Sequence, residues 1–278
     1  METYLNSKLD DLTENIGDMA LKRRVKKIIS ELDIKPVDFV LDSGCGDGLY
    51  LKTIKELGSY NIIGFDLDNR SLRLAQCHTD NSVSIIQGNG CMLPFKDSAF
   101  NKIYCTEVIE HIPDDRQALK EIYRILKPKG TLILTVPNHN YPFLWDPINW
   151  VMEAVTGGHI KSGFWAGIWN MHLRLYYPKE ISSLIKDAGF KVVSMEPLTH
   201  YCVPFNHIVL YGLKKVLDSG MLPDGMKNTA DKFSVNENKQ SMLIKHGYRV
   251  LNLLDKFNDK LADGESSVSI FVKAVKDY

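Results

Sequence analysis

The chain has 278 residues, 44% of them hydrophobic, with 34 Lys plus Arg against 34 Asp plus Glu and a formal net charge of zero. That length accommodates one large α/β domain or a standard domain carrying insertions. The charge balance excludes a bulk electrostatic drive toward nucleic acid or an anionic surface, although a local basic patch remains open.

In chain order, residues 1–36 read as an N-terminal helical segment. Met19, Ala20, Val25, Ile28, Ile29 and Leu32 fall at a helical period, and Pro36 ends the run. The first residues, METYLNSKLDDLTENIGD, contain acids and no apolar centre, unlike a secretory signal. No window reaches the roughly 18 apolar residues of a membrane span, so a cytoplasmic location is expected.

From Val37 the pattern becomes regular. Short apolar runs, VDFVLDS, NIIGFDL, VSIIQG, NKIYCTE and GTLILTVPN, are separated by the helical stretches LYLKTIKEL, NRSLRLAQCH and DDRQALKEIYRIL. Alternating strand and helix implies parallel strands joined by right-handed crossovers, with helices on both faces. Ligands of such sheets sit at the carboxyl ends of the strands, where Asp42, Asp66, Asn89 and Glu107 fall.

After Pro137 the rhythm breaks. Residues 138–177 hold all four tryptophans, Trp145, Trp150, Trp165 and Trp169, among Tyr141, Phe143, Phe164, Tyr176 and Tyr177. A helix, PKEISSLIKDAG, and a strand, FKVVSMEP, then resume the α/β pattern, and SSVSIFVKAVK reads as the last strand. Between those strands, residues 200–265 form a second insertion. It contains a helix from Phe205 to Leu217, a polar stretch from Pro223 to Gln240 and a helix from Met242 to Leu261. The core is therefore assigned to 37–137, 178–199 and 266–278.

The stretch VLDSGCGDGLY, Val40 to Tyr50, joins the first strand to its helix through Gly44, Gly46 and Gly48. Backbone without Cβ atoms lets a ligand approach, and the following helix presents free N–H groups. A dinucleotide turn reads G-x-G-x-x-G, but here the third position is Leu49. Asp42 is the stronger discriminator. A carboxylate there repels a pyrophosphate and attracts an amino group. A G-K-[ST] phosphate loop is also lacking. The five cysteines, Cys45, Cys77, Cys91, Cys105 and Cys202, include no C-x-x-C pair, so neither a zinc site nor a disulfide framework is indicated.

VLDSGCGDG resembles the first motif of the class I S-adenosylmethionine-dependent methyltransferases. NIIGFDLD resembles the second strand of that family with its terminal acid. GNGCMLPFKDSAFNKIYCTEVIEHIPD is similar to its third and fourth strand ends, and LKPKGTLILTVPN to its fifth strand. The resemblance covers about Val37 to Asn138 densely and then the final helix and strands. It implies a doubly wound, Rossmann-like sheet of seven strands, mostly parallel with an antiparallel C-terminal strand, beneath an aromatic-rich helical cap.

The resemblance also implies roles. S-adenosylmethionine is the cofactor and S-adenosylhomocysteine the product. Gly44, Cys45 and Gly46 place backbone against the methionine part, and Asp42 lies near the ammonium, directly or through water. Asp66, followed by Leu67, accepts from both ribose hydroxyls, which two carboxylate oxygens can do; the alternative is a helix cap near Asn69. Asn89 stands where the family commonly has Asp, and its carbonyl can still accept from the adenine amino group. Gly90, Cys91 and Met92 follow, with the Cys91 N–H on offer to the adenine, although an ordinary turn explains them equally and methionines are more often core. Thr106 and Glu107 close the far side, unless Glu107 caps the next helix.

A sulfonium methyl is already activated, so the protein must hold a nucleophile in line and exclude water. No metal is required. A hydroxyl acceptor additionally needs a base; His111 in EVIEHIPD resembles a family position near the methyl, with a structural role as its alternative, and His139, His159 or His172 in the aromatic insertion could also serve, with a polar surface or capping role as the alternative for each. The aromatic cap suits a bulky apolar acceptor such as a prenylated, quinoid or lipid-like molecule. The same rings could instead form the cap's own core or touch a membrane surface beside Lys214 and Lys215. No basic stripe accompanies them, so nucleic acid is not expected. A protein acceptor, a non-catalytic binder with this fold and an NAD-dependent oxidoreductase are the competing readings. Asp42 and Leu49 oppose the last.

Overall fold

In the computed structural model, residues 2–14, 16–163, 165–201, 250, 253–260 and 266–277 are described. The elements run α1 (Glu2–Leu12), α2 (Met19–Leu32), β1 (Phe39–Ser43), α3 (Leu49–Leu57), β2 (Asn61–Asp66), α4 (Asn69–His78), β3 (Ser84–Gln87), β4 (Phe100–Thr106) and α5 (Asp115–Ile125). They continue with β5 (Leu126–Pro137), α6 (Pro147–Thr156), α7 (Pro178–Asp187), β6 (Lys191–Leu198), α8 (Phe257–Lys260) and β7 (Ser269–Val275). The helix expected from Phe205 to Leu217 and the polar stretch from Pro223 to Gln240 lie outside the described residues. So does most of the helix expected from Met242 to Leu261.

Seven strands form one sheet in the order β3-β2-β1-β4-β5-β7-β6. β1 pairs in parallel with β2 and β4, β2 with β3, and β4 with β5, while the C-terminal end of the sheet is antiparallel. The chain steps outward from β1 through β2 to β3 and then returns to lay β4 on the other side of β1. That reversal opens a crevice at the carboxyl ends of the central strands. The expected Rossmann-like architecture is therefore present.

Local chemistry fixes the ends of the helices. Asp68 caps α4, its carboxylate accepting from the N–H groups of Arg70 at 3.3 Å and Ser71 at 2.9 Å. Asp114 does the same for α5 through Gln117 at 2.9 Å. Pro178 opens α7, and the Glu180 carboxylate accepts from the Tyr177 N–H at 3.0 Å. Leu41, Ile103, Leu119, Leu132, Ile181 and Val272 are among the core residues between sheet and helices. Each such side chain stabilises the fold by roughly 1.5–3 kcal/mol relative to exposure.

The chain divides into two units. One comprises residues 27–139, 173–196 and 270–278 and contains most of the sheet; the other comprises 1–26, 140–172 and 197–269. In the second unit Arg23 binds Asp255 at 2.5 Å and Asp259 at 2.7 Å. The aromatic insertion there is organised around buried polar groups, with Asp146 capping α6 through Asn149 at 3.2 Å. Among the described residues, no helix is long and apolar enough to cross a membrane.

Candidate functional site

The site lies in the unit that carries the sheet. Asp42 is the fourth residue of β1, in register with Gly64 of β2 on one side and Tyr104 of β4 on the other. Its sequence position places it at the mouth of the turn. Instead it is completely buried beneath it, because β1 is the central strand and its last residues are covered on both sides. Neither Asp42 oxygen makes a hydrogen bond of proper geometry, and the Tyr104 hydroxyl, equally buried, makes none either. Burial pushes the Asp42 carboxyl well above the usual carboxylate range; the Tyr104 hydroxyl pulls the other way and the Asp66 charge adds to the rise. The Tyr50 ring, from α3, lies 5.8 Å from that of Tyr104. A buried carboxyl without a strong partner favours a cation nearby, and it is a poor neighbour for a polyphosphate.

Above it the glycine turn is tied to the end of β2. The N–H groups of Gly44 and Cys45 both donate to the Phe65 carbonyl, at 2.7 and 2.9 Å, and the Gly46 N–H donates to Asp66 Oδ2 at 2.8 Å. Gly44 has a φ of 94°, and a Cβ there would lie 2.2 Å from Val108 Cγ2, so the turn and the loop after β4 meet only because this residue is glycine. At Gly46, with a φ of 52°, a Cβ would meet nothing within 4 Å. That open space is where a ligand can come against the backbone. Cys45 turns the other way: its side chain is buried, and Gly64 lacks the Cβ that would sit 3.0 Å from its sulfur. Burial raises its thiol pKa, and its N–H and carbonyl are taken by Phe65 and Gly48.

Asp66 ends β2 with both oxygens already accepting backbone N–H groups, Gly46 on Oδ2 and Asp68 on Oδ1 at 2.9 Å. Each oxygen retains a second acceptor direction. Asp66 does not cap α4, since Asp68 does. Leu67 is 68% exposed and Met92 77% exposed, so Met92 is not core as its type suggested. Between them in sequence, exposed Asn89 bends its chain back, Oδ1 accepting from the Cys91 N–H at 2.9 Å. The Cys91 N–H is thus engaged in a local turn, one of the two readings the sequence left open, and is not free for an adenine ring. A Cβ on Gly90 would lie 3.0 Å from Ile112 Cδ1, so Ile112 faces this loop.

The far side is built from the end of β4. Thr106 closes the strand, and Glu107 follows with a φ of 53°, a left-handed conformation that costs a non-glycine residue about 1 kcal/mol. Its N–H donates to the Thr135 carbonyl at 2.9 Å. The chain then makes a 3-10 turn, Ile109–His111, in which Glu110 is fully buried and the His111 side chain is 36% exposed. Arg174 fastens the next residues. Its guanidinium donates to the carbonyls of Ile112 at 2.8 Å and Pro113 at 3.0 Å and pairs with Asp115 at 2.9 Å. The Tyr176 hydroxyl donates to the same Asp115 at 2.7 Å, and the Leu173 N–H to the Glu110 carbonyl at 3.1 Å.

Asp42, Gly44, Gly46, Asp66 and Glu107 therefore converge at one end of the sheet, with Leu67, Asn89, Gly90 and Cys91 along its β2–β3 side and His111 beyond Glu107. Sequence reasoning missed Tyr104, Val108, Ile112 and Arg174. The first follows from the β1–β4 register, which no local pattern reveals. Arg174 carried a signal, as a base near the end of the aromatic insertion shortly before α7, but its carbonyl partners are distant in sequence.

Comparison with known proteins bears on this arrangement. The family model described as a methyltransferase domain matches residues 41–134. An uncharacterised protein of Methanocaldococcus jannaschii is 31% identical over 186 residues, 62% of this chain and 68% of that protein. The demethylmenaquinone methyltransferase of Lactobacillus johnsonii is 37% identical over 112 residues, 38% of this chain and 46% of the enzyme, so the match spans less than half of it. Among solved structures, a phosphoethanolamine N-methyltransferase of Haemonchus contortus in complex with S-adenosyl-L-methionine superposes with a TM-score of 0.57 at 18% identity. That match covers 92% of this chain and 52% of the other.

Proposed function

The chain belongs to the class I S-adenosylmethionine-dependent methyltransferases, and we propose that its acceptor is a bulky, apolar, quinone- or lipid-like molecule. The bound cofactor supplies a methyl group activated on a sulfonium. The residues at the strand ends suit it: a buried carboxyl lacking a good hydrogen bond fits a ligand bearing an ammonium and a sulfonium, and the open space over Gly46 admits it to the backbone.

In this reading Asp42 acts from beneath the turn, through space or through water, and favours the cationic end of the donor. The backbone from Gly44 to Gly46 contacts the methionine part. The remaining acceptor directions of Asp66 take the ribose hydroxyls, with Glu107 and Thr106 opposite. Leu67 offers an apolar surface to the adenine, while Asn89 and Gly90 line its edge beneath Ile112. His111 is the group that takes a proton from a hydroxyl acceptor. Holding the two reactants in line, away from water, is the main contribution of the protein.

The observation that carries the acceptor class is the aromatic insertion, which holds all four tryptophans, among them the half-exposed Trp165. The name of the L. johnsonii relative supports the same class. The test is methyl transfer from isotopically labelled donor to a panel comprising a prenylated naphthoquinol, a sterol, a phospholipid and small polar amines. Label in an apolar member is expected; label only in the polar amines would overturn the proposal.

A further inference from the structure

Helix α6 is built inside out. Its inward residues are polar: Asn149 is fully buried, its amide donating to Asp146 at 2.8 Å and to the carbonyls of Trp165 and Ala166 at 3.2 and 3.1 Å, while its oxygen accepts from the Ile160 N–H at 2.7 Å. Glu153, one turn on, accepts from the Tyr141 hydroxyl at 2.9 Å and the Trp169 indole at 2.6 Å. The opposite face carries Trp150 at 44% exposure, Val151 at 47% and Val155 at 78%, continued by Phe143 at 47% and Leu144 at 38%. Positions 150, 151, 154 and 155 share one side of a helix, and Phe143 packs edge-on against Trp150 with centroids 5.3 Å apart.

We propose that this face docks on the surface of a lipid bilayer. An aqueous helix turns apolar residues inward; here the polar groups are consumed in holding the insertion together and the apolar ones are turned outward. The charge pattern selects the occupant. Residues 138–172 contain only two acids, Asp146 and Glu153. Asp146 is buried and the Glu153 carboxylate is turned inward onto Tyr141 and Trp169, so the exposed face itself carries neither acid. Lys161 is the exposed base of the same segment. Tryptophan and phenylalanine on an otherwise aliphatic exposed face are side chains that settle at a membrane–water boundary. The proposal deepens the lipid-like acceptor reading and rests on it for its purpose, since an acceptor dissolved in a bilayer must be met there. The segment near Lys214 and Lys215 that the sequence suggested for a membrane contact lies outside the described residues.

The test is flotation of the full chain with vesicles of phosphatidylcholine, and of phosphatidylcholine mixed with phosphatidylglycerol, with neither donor nor acceptor present. Binding is expected, severalfold tighter on the anionic mixture and accompanied by a blue shift of tryptophan emission. Trp150→Glu and Val155→Glu should each lower the partition coefficient at least about tenfold, the effect of withdrawing one large apolar side chain, while donor titration remains at wild-type affinity. Failure to float with either vesicle would overturn the proposal, as would flotation unchanged in both variants. So would a wild-type dimer that the variants render monomeric without any vesicle binding, which would assign the face to a second copy of the chain. Docking without methylation of any apolar acceptor would refute the acceptor reading alone.

Discussion

Replacing Asp42 with Asn removes a charge beneath the glycine turn and keeps its shape. For unit charges about 6 Å apart at an effective dielectric of about 20, the attraction lost is about 2.8 kcal/mol, on the order of 100-fold in affinity. Part of that is offset, because burial and the neighbouring Asp66 favour the neutral carboxyl before the donor binds, and its ionisation draws on the binding energy. A loss of about 10–100-fold in donor affinity is therefore expected. Stability should move the other way. A carboxyl whose folded pKa is raised above its unfolded value costs nothing below the unfolded pKa and destabilises the fold increasingly as pH rises toward the folded one. At neutral pH the Asp42→Asn variant should melt at the same temperature as wild type or higher. The same linkage makes donor binding to wild type release a proton, so affinity climbs with pH until Asp42 is ionised in the free protein and then flattens. The Asp42→Asn substitution abolishes that climb. Calorimetric titration from acid to alkaline pH reads both effects, and a variant within about twofold of wild type with an unchanged pH profile would refute the reasoning.

Further substitutions separate space, strain and positioning. Gly46→Ala should cost the ligand-free fold only about 1 kcal/mol for its left-handed backbone yet weaken donor binding at least about tenfold, because its methyl enters the open space over the turn; thermal melting paired with titration tests this. Gly44→Ala, driven into Val108, should cost about 2–4 kcal/mol, seen as a lowered midpoint in denaturant. Arg174→Met should lose about 1–2 kcal/mol of stability, discounted for its partial exposure, and raise the donor Kd severalfold by loosening Ile112 against the Gly90 loop. Arg174→Lys should restore neither, since one ammonium does not span two carbonyls and a carboxylate. Glu107→Gly should relieve left-handed strain and leave the melting temperature unchanged or higher while donor binding weakens, again by melting and titration.

Much of the architecture was legible because local and global preferences agree. LYLKTIKEL and NRSLRLAQCH become α3 and α4 at their full lengths, each following a glycine turn or an aspartate cap that marks where it begins. The strand ends carrying Asp42, Asp66 and Thr106 follow from the parallel α/β rhythm. What escaped depends on distant pairing. The depth of Asp42 and the approach of Tyr104 are set by β1 lying between β2 and β4, and the left-handed backbone of Glu107 by the loop beyond. α6 was hidden for a different reason: with Asn149 buried and Trp150, Val151 and Val155 exposed, it violates the periodicity by which helices are recognised in water. The two readings of Cys91 stayed level because sequence alone does not show whether an Asn two residues earlier takes its N–H in a local turn, as Asn89 does.

In the proposed reading, the buried Asp42 beneath the glycine turn makes the strand ends select positive charge. Titrating the full chain by calorimetry with S-adenosylmethionine, S-adenosylhomocysteine, NAD and ATP under one set of conditions measures that selection directly. Saturable binding of the first two with none of the last two is predicted; tighter binding of NAD or ATP than of either sulfur nucleoside would contradict it.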